Sequence, residues 1–166
     1  MTRTVIESKT KTVVIGFDEP FCVIGERINP TGRKKLAAEL EMGNYDTVIK
    51  DALEQVACGA TVLDVNSGAV FTNKMAEDPR YADNNFVEPP LMKALIEIIQ
   101  QTADVPLCID SSVPGALEAG LMACEGRPLL NSVTGEEERL ELVLPLVKKY
   151  NVPVVAISND DTGISP

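Results

Sequence analysis

The stretch Val105-Pro-Leu-Cys-Ile-Asp-Ser-Ser112 is apolar for its first half and then turns abruptly to an acid and two hydroxyls. The run Val105 to Ile109 is short and apolar at successive positions, which reads as a strand buried on both faces. The same pattern recurs at Phe21 to Gly25, Thr61 to Val65, Pro128 to Leu130 with a short extension, and Val152 to Ile157. Segments of helical period lie between these runs, so the chain alternates strand and helix as a parallel α/β protein does. A further run, Thr12 to Phe17, is cut off from the first strand by Asp18-Glu-Pro20, a break too short for a crossover helix, and reads as a small hairpin closing the bottom of the fold.

The connecting helices carry start and stop signals. Pro89 and Pro90 open a helix with Leu91, Ala94, Leu95, Ile98 and Ile99 on one face. Asn44 or Asp46 can cap a helix running to Cys58, with Val48, Ala52, Leu53 and Val56 facing inward and Gly59 as its stop. Ser112-Val-Pro114 starts a helix ending before Gly126, and Thr134 with Glu137 has the spacing of a capping box for a helix ending in Lys148-Lys149. Pro145 falls inside that last helix and should kink it or relax one turn.

Composition narrows the chemistry. In 166 residues there are 15 basic and 25 acidic side chains and no histidine, for a net charge of −10. Binding nucleic acid by neutralising phosphates has little to work with. Without histidine there is no Ser-His-Asp or Cys-His pair and no H-E-x-x-H zinc helix, leaving carboxylates, amides, hydroxyls, Arg and Lys. The four cysteines form no C-x-x-C pair and read as small buried hydrophobes in a reducing compartment. The N-terminal residues have no apolar core of a secretion signal, and no run approaches the ~18 apolar residues of a membrane span, so a cytoplasmic location is expected.

The most informative pattern lies in the residues that end each strand. Glu26-Arg27-Ile28-Asn29 comes after the first, Asp64 and Asn66-Ser67-Gly68 close the second, and Asp110-Ser111-Ser112 comes after the third. Asn131-Ser132-Val133-Thr134 lies after the fourth and Ser158-Asn159-Asp160-Asp161 after the fifth. Strand C-termini in parallel α/β folds share one rim, where ligands bind. Carboxylates that accept paired N–H bonds, beside amides that donate and accept, suit a flat heterocycle with N–H donors and carbonyls. Taken singly, each Asp or Asn is more simply a cap or turn residue: Ser112 and Thr134 read as caps, Asp161 to Gly163 as a turn, and Glu136-Glu-Glu138 as a solvated helix start. Adjacent in a strand, Glu26 and Arg27 would point to opposite faces, one of them into a structural ion pair. The cluster argues more strongly than any member.

Four motifs in order, Ile24-Gly-Glu-Arg-Ile-Asn29, Leu63-Asp-Val-Asn66, Leu107-Cys-Ile-Asp-Ser-Ser112 and Leu130-Asn-Ser-Val-Thr134, together resemble the pterin-binding family of TIM barrels. That family includes dihydropteroate synthase, the methyltetrahydrofolate module of cobalamin-dependent methionine synthase, and methyltetrahydrofolate:corrinoid protein methyltransferases. The resemblance covers Phe21 to Pro166. Gly25-Glu-Arg-x-Asn29 looks like the methyltransferase branch, whereas Asn29-Pro-Thr-Gly32 does not match the first loop of the synthases.

The resemblance implies that Asp110 and Asn131 hydrogen-bond the pterin ring, with Asp64, Asn66 and Ser132 on the same rim and Glu26, Arg27 and Asn29 building or ordering the first loop. It implies transfer of the N5 methyl group of methyltetrahydrofolate to the cobalt of a corrinoid (cobalamin-type) cofactor on a partner corrinoid protein, with no metal bound by this chain, and homodimerisation. A tertiary amine leaves poorly, so N5 must gain a proton or a strong hydrogen bond as the C–N bond breaks. A complete (β/α)8 barrel takes about 250 residues. The expected architecture is therefore an N-terminal part of about five β/α units in one domain, with the family's catalytic residues beyond Pro166. Two alternatives stay open: a dihydropteroate synthase-like condensation of a pterin pyrophosphate with p-aminobenzoate, and a non-catalytic partial barrel acting through subunit association. The stretch Val70 to Glu88, rich in Asn, Asp and Pro, reads as a lid or partner contact beside the rim or, equally, as a surface insertion.

Overall fold

The computed structural model describes residues 3–68, 84–160 and 163–164. Five parallel strands, β3 (Ile24–Ile28), β4 (Val62–Asn66), β5 (Leu107–Asp110), β6 (Leu129–Thr134) and β7 (Val154–Ile157), lie side by side in chain order. Between them run α1 (Lys34–Glu41) and α2 (Asp46–Ala57), then α3 (Asn84–Thr102), α4 (Pro114–Ala123) and α5 (Glu137–Tyr150), in that order. Strand order that never reverses winds the chain in one direction, an arc of a (β/α) barrel; a doubly wound sheet reverses at a switch point. The expected α/β partial barrel is the fold.

Alternation along each strand divides the side chains into two layers. Leu63 and Val65, Ile109, Leu130 and Val133 point outward and bury against Val48 and Ala52 of α2, Met92, Leu95, Ile96 and Ile99 of α3, and Leu117 of α4. Each such side chain contributes roughly 1.5–3 kcal/mol by leaving water. The inward layer begins with Val62, Cys108 and Leu129, buried together with Ile6 of the N-terminal hairpin. That hairpin pairs β1 (Thr4–Glu7) with β2 (Thr12–Ile15), antiparallel. Arg127 ties it down: Glu7 and Arg127 exchange backbone bonds at 2.8 and 2.9 Å, and Arg127 Nη1 donates to the Val5 carbonyl at 2.6 Å. Gly126 is required there, since at φ +93° a Cβ would lie 2.4 Å from the Glu7 carbonyl oxygen.

Several local expectations are corrected. The hairpin partner of β2 is Thr4–Glu7, a strand hidden in a polar segment with one deeply buried residue, Ile6. The first barrel strand starts at Ile24 because Phe21 is exposed, so Glu26 and Arg27 sit within the strand. Pro89 and Pro90 lie inside α3, whose buried stripe is Met92, Leu95, Ile96 and Ile99; Leu95 and Ile99 are buried as expected, whereas Leu91, Ala94 and Ile98 are only half-buried. Leu53 and Cys58 are exposed. Val113 is the N-cap of α4, ordered by its amide bond to the Ser111 hydroxyl at 3.0 Å, so Ser112 is no cap. At α5 the N-cap is Glu136, and the Thr134 hydroxyl donates to its Oε2 at 2.8 Å, so the Thr134–Glu137 box does not form. Helix α1 was not anticipated, although Leu36 and Leu40, both buried, have the i, i+4 spacing of a helical face. Of Val70 to Glu88, residues 84–88 belong to α3 and 70–83 lie outside the described residues, as do Asp161 and Thr162 of the expected turn. Among the described residues no helix is long and apolar enough to cross a membrane.

Candidate functional site

Register aligns the polar strand ends. Asn66 pairs with Asp110 and Asp110 with Asn131 across β4, β5 and β6, and Asp64 pairs with Cys108 one step below. Because parallel neighbours in register point to the same face, these side chains converge inside the arc, above the apolar plug of the hairpin. Two amide–carboxylate bonds cross the sheet there. Asn66 Nδ2 donates to Asp110 Oδ2 at 2.7 Å, and Asn131 Nδ2 donates to Asp64 Oδ1 at 3.3 Å. Asn66 is itself oriented by its Oδ1, which accepts the Gly68 amide at 2.7 Å. A cavity of about 270 Å³ opens beside them, lined by Ile24, Glu26, Asp64, Cys108, Asn131 and Val155.

The electrostatics are those of crowded acids. Asp64 is 4% exposed, and its Oδ2 has no hydrogen-bond partner among the described residues. Burial pushes its carboxyl up to about 6, bonds from the Cys108 thiol and the Asn131 amide pull it back, and the charges of Asp110 and Glu26 raise it further. Asp110 is raised for the same primary reason, burial, offset by its bond from Asn66 and reinforced by Glu26. The Cys108 thiol, buried against Asp64, is pushed far up and stays protonated. Glu26 and Asp64 line the cavity, so the pocket favours neutral or positively charged N–H donors.

The first rim motif, in β3 and the turn after it, resolves into two roles. Glu26 faces the cavity. Arg27 faces the helical layer, where its Nε lies 3.6 Å from Asp51 Oδ1 and its backbone amide donates to Gln55 Oε1 at 2.8 Å. Arg33 completes the clamp, donating to Asp51 Oδ2 at 2.6 Å and to the Arg27 carbonyl. Gly25 leaves room for this packing: a Cβ would meet Gln55 Oε1 at 2.7 Å and push the Gln55 amide away from the Arg27 backbone. Arg27 therefore orders the loop from behind, the structural ion pair expected of one of the two residues, with a helix in place of a neighbouring strand. Asn29 accepts the Thr31 amide at 2.9 Å and shapes the turn between β3 and α1. Ser132 is joined to Asn131 through a cis peptide, half-buried, where the pairing of β6 with β7 shifts register.

Sequence reasoning missed Asp51, Gln55, Arg33 and Glu88. Glu88 is 3% exposed and accepts the Ser111 hydroxyl at 2.8 Å. Its signal was present: an acid at the start of an otherwise apolar helical stripe.

Comparison with known proteins agrees with this geometry. The family described as pterin binding enzyme matches residues 25–164. Among solved structures, dihydropteroate synthase from Yersinia pestis with a pterine-sulfa conjugate superposes with a TM-score of 0.56 at 18% identity, over 94% of this chain and 50% of that one. The 7,8-dihydropteroate synthase of Vibrio fischeri gives 0.56 at 19% identity, over 93% and 49%. A Xanthomonas albilineans dihydropteroate synthase gives 0.56 at 19%, over 95% and 51%. This chain thus spans about half the length of the solved structures it matches, and at such identities the likeness establishes the fold. With the family match running from Gly25 at the first rim motif to Ile164, the chain belongs to the pterin-binding enzymes.

Proposed function

We propose that this chain carries the pterin-binding side of a methyltransferase that moves the N5 methyl group of methyltetrahydrofolate to the cobalt of a corrinoid held by a separate protein. The observation that carries the reading is the pair of cross-strand amide–carboxylate bonds, Asn66 to Asp110 and Asn131 to Asp64. They fix an acceptor edge before any ligand arrives, and a pterin presents N–H donors to such an edge. The fixed negative charge of Glu26, Asp64 and Asp110 also favours the proton that N5 gains as the C–N bond breaks. Methyl transfer is preferred over condensation on one ground: the Gly25-Glu-Arg-Ile-Asn29 segment, which looks like the methyltransferase branch, turns the Glu26 carboxylate toward the cavity beside Asp64. The corrinoid protein supplies the methyl acceptor, and a homodimer is the expected assembly.

Isothermal titration with methyltetrahydrofolate tests the reading. Replacing Asp110 with Ala should weaken binding by about 10- to 100-fold, the worth of a hydrogen bond to a charged group. Unchanged affinity would remove Asp110 from ring recognition. Tighter binding of the pterin pyrophosphate, with product formed from p-aminobenzoate, would favour the condensation reading.

A further inference from the structure

Helix α3 presents Met92, Leu95, Ile96 and Ile99 to the core, all fully buried. Glu88 sits one helical turn before Met92 on the same stripe, also buried, where packing alone would select an apolar side chain. Its carboxylate accepts the hydroxyl of Ser111, the residue immediately after Asp110. Ser111 is itself a junction: its hydroxyl accepts the Val113 amide at the start of α4, and its amide donates to the Asn131 carbonyl at 3.2 Å. On the other side, Glu88 Oε1 would lie 3.8 Å from a Cβ built on Gly68, whose amide orients Asn66. One buried acid thus abuts the loop after β4 and holds the loop after β5, the two loops that leave the strands directly after Asn66 and Asp110, the residues that form the cross-strand bond.

We propose that Glu88 is a positioning residue for the pterin site, holding Asp110 and Asn66 in their bonded arrangement through Ser111. The inference rests on the proposed function for its ligand but not for its geometry. A buried carboxylate is costly to maintain, and the amide of Val113 is already served by the Ser111 hydroxyl. What Glu88 adds is a fixed direction for that hydroxyl, and therefore for the backbone that carries Asp110.

The test uses E88A, S111A, the double variant and E88Q, which keeps an oxygen acceptor for the hydroxyl. The readout without ligand is the exchange rate of the Asn66 side-chain amide by NMR; with ligand, it is methyltetrahydrofolate affinity. E88A and S111A should each accelerate exchange about tenfold and weaken binding about fivefold, the double variant should be no worse than either, and E88Q should restore both. S111A, a one-atom deletion, gives the same readout should E88A fail to fold. Native exchange rates in S111A, or effects that multiply in the double variant, would overturn the proposal. Accelerated exchange in a chain whose native form binds no methyltetrahydrofolate would leave the positioning role standing and refute the methyltransferase reading.

Discussion

Replacing Asp64 with Asn should stabilise the ligand-free protein at pH 8. Burial moves the Asp64 carboxyl from its ordinary 3.8 to about 6 in the folded chain. Between those values the native state holds more protons than the unfolded one, so this residue makes stability fall as pH rises from about 4 to about 7. At about 1.36 kcal/mol per pH unit, the loss at alkaline pH is about 3 kcal/mol. Asparagine removes the charge and can still accept the Asn131 amide, but its new N–H₂ group occupies the place of an oxygen that has no partner among the described residues, at a cost of about 1–2 kcal/mol. The net gain is therefore about 1–2 kcal/mol at pH 8, about 3–6 °C in Tm for a chain of this size. At pH 4.5 the gain should vanish, because native Asp64 is by then largely protonated. Urea and thermal unfolding followed by circular dichroism at both pH values measure this directly. A variant that is equally destabilised at both pH values would refute the assignment of Asp64 as a charge held against its own burial.

Two further perturbations probe the scaffold of the site. Arg33→Ala leaves the buried Asp51 carboxylate with only the longer contact to Arg27, and should cost about 2 kcal/mol in urea denaturation while making the loop around Asn29 an early site of proteolysis; unchanged stability would mean that the clamp is idle. Ile6→Ala opens a void between the hairpin and Val62, Cys108 and Leu129, and should lower stability by about 3 kcal/mol, with a loss below 1 kcal/mol arguing that the hairpin is not part of the cooperative unit.

The sequence was most legible where one physical constraint dominated. Strands buried on both faces announce themselves as apolar runs, so β4 and β5 were located to within one or two residues, as was the half-exposed β7, whereas β6 runs on through Thr134 and takes Asn131 to Thr134 into the strand in place of the loop expected there. Legibility failed where partners are distant. Arg27 could not be told from a ligand-facing residue without knowing that Asp51, on α2, waits behind it. Glu88 looked like part of a polar insertion because the helix was expected to open at Pro89, and only its placement on the Met92 stripe exposes it as a core-facing acid. Strand β1 was invisible because a single inward residue, Ile6, carries its whole burial signal.

The bond from Arg127 to the Val5 carbonyl joins residues 122 positions apart. A contact of that span demands a large loop closure, so it forms late in folding even though β1 and β2 can pair with each other at once. On the ribosome the hairpin emerges well before β6, yet it can dock only after the chain has been made through β6. During that interval Ile6 and the inward faces of Val62 and Cys108 are without the cover they have in the native fold. Slow elongation between β5 and β6 should therefore prolong exposure of this apolar surface, and chaperone dependence should respond to changes at Arg127 more than to changes within the hairpin's own pairing.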